Sequence, residues 1–148
     1  MKKLALLVSC SLQGACANLG SQPPVPVTSP LVQAFRDICL QTAPSFAEAH
    51  RVARQHGITE MTDMGFATVG FNADKSLGIQ VKVSHECVVT GESQQDDTLT
   101  SQMLSAAAVN AGTTVPRKAP VKMVIAGQRF ILMHDRQDGE AFVMLKPD

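Results

Sequence analysis

His134 and Asp135 stand side by side near the end of an apolar stretch, and their types suit acid–base chemistry. Histidine titrates near neutral pH, and a neighbouring carboxylate can orient its ring as a general base. A polar pair where a strand meets a turn explains the same pattern equally well. Neither a G-x-S-x-G nor an S-x-x-K motif is present, so a serine nucleophile leaves no sequence trace. We therefore expect no catalytic residue, and keep a small hydrolase using His134 and Asp135 as an alternative.

The other candidate ligands show no metal-binding signature, because the sequence has no H-E-x-x-H, C-x-x-C or EF-hand pattern. His85 and Cys87 share one face of a predicted strand, as two zinc ligands could. Met61 and Met64 follow His56, and thioethers favour copper(I) in exported proteins. Seven methionines in a chain with 4% aromatic residues are better explained as side chains that fill gaps in the core. We expect neither a metal nor a cofactor.

Composition argues against nucleic-acid and nucleotide binding. The 148 residues include 13 basic and 13 acidic side chains, a formal net charge of zero, and no basic run. Nucleic-acid affinity comes mainly from neutralised phosphates, which this balance does not favour. There is no Trp or Tyr for base stacking, and no G-x-G-x-x-G or Walker loop for phosphates. With 45% hydrophobic and 18% charged residues, the chain has the composition of one globular domain.

The first 17 residues have the order of a secretory signal peptide. A cationic start precedes an apolar stretch, residues 4–12, that is too short to span a bilayer. The stretch Leu12-Gln13-Gly14-Ala15-Cys16 is similar to a bacterial lipobox, which would acylate Cys16. Cleavage after A-x-A, before Asn18, would instead release a soluble protein. We prefer the lipidated form, a periplasmic protein anchored to the outer membrane that contacts lipid only through Cys16.

Two cysteines, Cys39 and Cys87, remain beyond this segment in a chain that we expect to be exported. Cys39 lies on the apolar face of a predicted helix, and Cys87 lies on the inward face of an alternating strand pattern. An even pair in an exported chain indicates a disulfide. We expect it to pin the first helix to the sheet.

The elements that must position these residues follow the order α-α-β-β-α-β-β-β. Ser29-Pro30 starts the first helix, which runs to about Leu40, and the capping-box residues 45–48 start a second, which ends at Gly57. A third helix is expected over residues 99–111, and strands over 65–71, 77–90 (one long or two joined), 121–126, 129–133 and 141–145, with a turn around Asp138-Gly139.

Hairpin-length connections between these elements favour an α+β domain with an antiparallel sheet of about five strands. We expect the two N-terminal helices and the middle helix to pack on one face of that sheet. Residues 18–30 are rich in proline and predict an extended tether, which leaves residues 31–148 as a single domain.

The polar segment 91–97 carries three carboxylates, Glu92, Asp96 and Asp97, and no opposite charge. It could contact a basic partner, as in an inhibitor or immunity protein. It could equally be a solvated connector whose Asp96 and Asp97 favour the positive end of the next helix. We prefer the connector and keep the three carboxylates as a candidate partner-binding set.

The stretch from Ala34 to Phe46, A-F-R-D-I-C-L-Q-T-A-P-S-F, resembles a family of small exported proteobacterial proteins of unknown function. Its members share A-F-x-x-x-C-x-x-T-x-P-x-F followed by a later strand cysteine, here Cys87. The resemblance covers residues 31–90. It implies an envelope location and a cysteine pair, and carries no activity.

Small size, export and the missing catalytic motifs favour a non-catalytic binding module. We expect it to contact a protein of the cell envelope, as an inhibitor or immunity-type protein does. A structural lipoprotein accessory to an envelope complex is the alternative, motivated by Cys16 and the proline-rich tether. The sequence indicates no oligomeric state.

Overall fold

The computed structural model describes residues 23–92, 97–137 and 140–148. The expected signal peptide, Cys16, Asp96 and the turn at Asp138-Gly139 lie outside the described residues. Among the described residues, no helix is both long and apolar enough to cross a membrane.

Three helical segments precede or interrupt the strands. Helix α1 spans Pro30–Ala34, with proline in its first turn as expected, and continues as a π-helical stretch, Phe35–Leu40. Helix α2 spans Ala49–Gln55 and helix α3 spans Leu99–Ala111. Gly112 ends α3 at a φ of 64°, a left-handed conformation that glycine adopts without strain.

The expected capping box at the start of α2 is wrong. Glu48 stands at the N-cap, and no side chain caps the helix. The Glu48 carboxylate instead accepts a hydrogen bond from Arg51, with Nε and Oε2 2.7 Å apart. Phe46 adopts a φ of 57° and is fully buried, so the chain turns to insert this ring before the helix begins.

Seven strands form one antiparallel sheet in the order β1-β2-β3-β4-β7-β6-β5. They are β1 (Glu60–Asp63), β2 (Thr68–Phe71), β3 (Leu77–Lys82), β4 (Glu86–Glu92), β5 (Val121–Ile125), β6 (Gln128–Gln137) and β7 (Glu140–Pro147).

The expected α+β class with an antiparallel sheet is confirmed, but the expected count of about five strands is wrong. The polar β1 has no alternating pattern that would have revealed it. A tight turn at residues 83–85 also divides the expected long stretch 77–90 into β3 and β4.

Helices cover one face of the sheet. The inward strand side chains form one core cluster with the buried helix residues, and they are Leu77, Ile79, Val81, Cys87, Val89, Met123, Ile125, Phe130, Leu132 and Leu145. Val88, one position out of phase with Cys87 and Val89, is buried yet lies outside this cluster. The other side of the sheet is not covered by a helix in the described part of the chain, and we call it the open face.

The expected disulfide between Cys39 and Cys87 is confirmed, with Cα atoms 5.5 Å apart. It joins the π-helical stretch to β4, and both residues are fully buried. The bridge therefore fixes the helical layer against the centre of the sheet.

The polypeptide before α1 packs on α3 rather than standing clear of the domain. The backbone N–H groups of Thr28 and Ser29 donate to Oε1 of Gln102, at 2.8 and 2.9 Å. The N–H of Val25 donates to Oγ of Ser105 at 2.9 Å. The backbone from Val25 to Ser29 is therefore attached to α3.

Candidate functional site

The open face carries apolar side chains where an antiparallel sheet that faces water normally presents polar ones. Strand register places Val69, Gln80, Val88, Met144 and Met133 in one row across β2, β3, β4, β7 and β6. Four of these five side chains are apolar. With Phe71 and Ile131 beside this row, they form what we call the apolar belt: Val69, Phe71, Val88, Ile131, Met133 and Met144.

A glycine shapes one end of the belt. Phe71 pairs with Gly78 across β2 and β3, and Gly78 pairs with Thr90 across β3 and β4. A Cβ atom at Gly78 would lie 2.6 Å from Cε1 of Phe71 and 2.7 Å from Oγ1 of Thr90. Only glycine leaves room for the aromatic ring to lie against the sheet. The ring nevertheless remains 47% exposed.

Two shallow grooves adjoin the belt. One of about 310 Å³ lies among Val69, Phe71, Val88 and Met144. A larger one, of about 570 Å³, extends past Phe71 to Met64 and the edge strand β1. Both grooves are open and share Val69 and Phe71 as lining residues, so the belt and the grooves form one extended contact surface.

Charged side chains flank the belt with opposite signs at its two sides. The side chains of Glu60, Glu92 and Asp135 have the outward parity of the belt and lie toward one end of the strands, which we call the acidic edge. Lys82, Lys122 and Lys146 have the same parity and lie toward the other end, the basic edge.

Each edge also contains an opposite charge. Glu86 lies at the basic edge, where its Oε1 accepts a hydrogen bond from Nε2 of Gln80 at 2.9 Å. Lys122 forms an ion pair of 2.7 Å with Asp148. Lys75 lies in the turn beside the acidic edge. The separation of charge across the face is therefore partial, with the lysines in excess at one edge and the carboxylates at the other.

The structure separates the two residues of the hydrolase alternative. His134 and Asp135 are consecutive in the uninterrupted strand β6, so their side chains point to opposite faces of the sheet. Nδ1 of His134 lies 3.0 Å from Oγ1 of Thr100 on α3, within the helical layer. Asp135 belongs to the acidic edge of the open face. The two side chains therefore do not meet in one site, as a hydrolase that uses both would require.

A second histidine, His56, contacts the carboxylate of Asp37. Oδ2 of Asp37 lies 3.2 Å from Nε2 of His56, and Oδ1 accepts a hydrogen bond from Nε of Arg36 at 2.8 Å. That hydrogen bond raises the pKa of Arg36. His56 lines a cleft of about 270 Å³ together with Asn72 and Ser76.

The geometry of this cleft favours a structural role. The hydroxyl of Ser76 donates to Asp74 at 2.6 Å and accepts a hydrogen bond from Asn72 at 3.0 Å, which closes the β2–β3 turn. The Asp37–His56 contact joins the π-helical stretch to the end of α2. The pair therefore ties two helical segments together, and the serine is engaged by its own turn.

The remaining sequence candidates are dispersed. Glu92 ends β4 and also lines the cleft beside His56, whereas Asp97 is exposed just before α3. Met61 packs partly into the core from β1, and Met64 is exposed in the following turn. Within the described residues, no group of three or more His, Cys, Asp or Glu side chains forms a metal site.

Sequence reasoning missed the apolar belt because it followed only the inward positions of each strand. The signal was present as uninterrupted apolar pairs and triplets, Val88-Val89 in β4 and Ile131-Leu132-Met133 in β6. Such runs place apolar side chains on both faces of a strand.

No family model, no curated protein and no solved structure matches this chain.

Proposed function

We propose that this chain is an exported, non-catalytic binding module that works through the open face of its sheet. The observation that carries the proposal is the apolar belt, which lies on the uncovered side of an antiparallel sheet. Apolar surface removed from water contributes roughly 25 cal/mol per Å² to association. A face whose centre is apolar and whose margins are charged has the anatomy of a protein interface.

The chemistry of the face indicates a protein as its partner. The belt extends across the sheet from β2 to β6, over the order β2-β3-β4-β7-β6, which gives it a length of about 19 Å at the usual strand spacing. The adjoining grooves are open rather than enclosing, unlike the concave pockets that bury most of a small ligand. We infer a protein surface with an apolar strip, a basic region opposite the acidic edge and an acidic region opposite the basic edge.

Location follows from the N-terminal sequence. We propose that residues 1–17 direct export and that Cys16 is acylated, so that the domain is held at the periplasmic side of the outer membrane. Packing of Val25 on α3 leaves a spacer of about eight residues after Cys16, at most about 28 Å when extended. The anchored domain would therefore stay close to the membrane surface.

The intact mass of the exported protein, alkylated without reduction, tests this location. A chain that begins at an acylated Cys16 and takes up no alkylating reagent supports an anchored domain with its disulfide. An unlipidated chain that begins at Asn18 would make the protein a diffusible periplasmic one.

Two biological roles are compatible with such a binding module. As an inhibitor or immunity-type protein, it would cover a toxin or hydrolase, and Glu92 with Asp135 would meet a basic margin of that target. As a structural accessory, it would need its anchor, so a Cys16→Ser protein that stays correctly located and functional would exclude this role.

A photo-crosslinking side chain introduced at Met133 in the exported protein tests the binding surface in living cells. The matched control carries the same group at Val109, an exposed apolar residue of α3 in the helical layer. We expect a crosslinked protein adduct from position 133 and none from position 109. No adduct from position 133 under any growth condition would contradict a binding role for the open face.

A further inference from the structure

We propose that the protein seated on the open face is a second copy of this chain, related to the first by a two-fold axis that runs along the apolar belt. The inference rests on the proposed function and names its partner. A two-fold interface brings the same surface of both copies together, so the surface must complement itself. The open face meets this condition in both its apolar and its charged parts.

The apolar part complements itself because a rotation about the central row of the belt returns that row to its own position. The axis lies along the row of Val69, Val88, Met144 and Met133, which register aligns across the sheet. Each of these side chains then meets the belt of the other copy. Two sheets packed in this way resemble the aligned layers of a β-sandwich, whose strands cross at about 30°.

The charged part decides the direction of the axis. A two-fold axis parallel to the strands would place the acidic edges of the two copies against each other, and their carboxylates would repel. An axis along the belt exchanges the two ends of the strands. It therefore places the acidic edge of each copy against the basic edge of the other, twice in one interface.

One contact can be specified by residue. Ile131 is flanked in register by Lys122 on β5 and by Lys146 on β7. On the same strand β6, Met133 lies on the axis and Asp135 lies as far beyond it as Ile131 lies before it. The rotation carries Asp135 of one copy over Ile131 of the other, between the two lysines. Lys122 can meet this carboxylate while its present partner, Asp148, stays beside it.

The N-terminal segment of the same chain fits the face less well. Its first anchored residues bond to α3 in the helical layer, on the side of the sheet away from the belt, through Ser105 and Gln102. A segment that starts there would have to pass around the sheet to reach the belt.

Sedimentation velocity of the processed, exported protein over a wide dilution series tests the proposal. We expect a reversible monomer–dimer equilibrium that weakens as salt is raised. Two variants should each raise the dissociation constant of the dimer roughly tenfold or more: the single change Asp135→Lys, and the double change Lys122→Glu/Lys146→Glu. In either variant like charges meet twice in the interface.

Mixing those two variants gives the decisive result. An Asp135→Lys chain and a Lys122→Glu/Lys146→Glu chain restore opposite charges at both contacts only when they pair with each other. We expect a heterodimer close to wild-type affinity, and thermal melts of each variant alone confirm that it is folded. A matched Val109→Glu change in the helical layer should leave the equilibrium unchanged.

Failure of this inference can be told apart from failure of the proposed function. A wild-type chain that stays monomeric at every concentration, or a mixture that gains no heterodimer, overturns self-association. If position 133 still crosslinks to a different protein in cells, the binding module stands with another partner. A crosslinked species of twice the chain mass supports both proposals.

Discussion

The ring of Phe71 lies against Gly78 on the open face, where a Cβ atom would come within 2.6 Å of Cε1. The contact joins β2 to β3 and forms one end of the apolar belt. The glycine is thus required by the shape of the surface rather than by its backbone conformation.

Replacing Gly78 by alanine should therefore destabilise the domain by about 1–3 kcal/mol, the usual cost of forcing a group into occupied space. Phe71→Ala removes two of the three closest neighbours of the added Cβ. In that background we expect the cost of Gly78→Ala to fall by half or more, with Thr90 as the remaining obstacle. Urea unfolding of the four proteins, followed by circular dichroism because the chain lacks Trp and Tyr, measures this coupling. Additive costs would contradict the packing of the ring on the glycine.

Gln102 anchors the segment that precedes α1. Its buried side-chain oxygen accepts two backbone N–H bonds, from Thr28 and Ser29, so Gln102→Ala leaves both donors without this acceptor. We expect a loss of about 2–3 kcal/mol in the free energy of unfolding. The matched change Ser105→Ala removes only one backbone hydrogen bond, from Val25, and should cost about 1 kcal/mol. Equal effects of the two changes would count against this anchor.

The Cys39–Cys87 bridge closes a loop of 48 residues. Chain-entropy arguments assign about 4 kcal/mol to a loop of that length. We expect the Cys39→Ala/Cys87→Ala protein to lose about that much stability, while both single variants lose at least as much because a lone thiol is left in the core. A double variant as stable as the oxidised protein would show that the helical layer is held without the bridge.

Asp74 provides a local pH readout of the β2–β3 turn. Hydrogen bonds from the hydroxyl and the backbone N–H of Ser76 hold the pKa of Asp74 below its ordinary value. A lowered pKa contributes stability above the unfolded-state value, and this contribution is lost as pH falls through the native pKa. We expect Ser76→Ala to raise the pKa of Asp74 in a carboxylate NMR titration. An unchanged titration would exclude the hydroxyl as the main cause.

Local sequence signals located much of the framework. Ser29-Pro30 marked the start of α1, Gly112 marked the end of α3, and the parity of Cys87 gave its inward position. The helix ends depend on residues adjacent in the sequence, and the inward position of Cys87 depends on the two-residue alternation of a strand. The start of α2 did not follow its local signal, because the chain turns at a φ of 57° to bury Phe46 just before the helix.

The candidate site could not be predicted in the same way. The belt exists because strands distant in sequence, β2, β4, β6 and β7, align particular residues across the sheet. The position of Met133 beside Met144, and of Ile131 between Lys122 and Lys146, follows from register alone. Sequence patterns give the parity of a side chain, but the neighbours it meets depend on the pairing of the strands.

Methyl NMR of the methionines tests most directly whether the open face is the binding surface. In protein labelled at the methionine methyl groups, raising the protein concentration should shift the signals of Met133 and Met144, which lie in the belt. The signal of Met103, fully buried on α3, should stay in place and serves as the internal control. Shifts confined to the two belt methionines would match the account. Concentration-independent signals at both, with or without envelope extract, would contradict it.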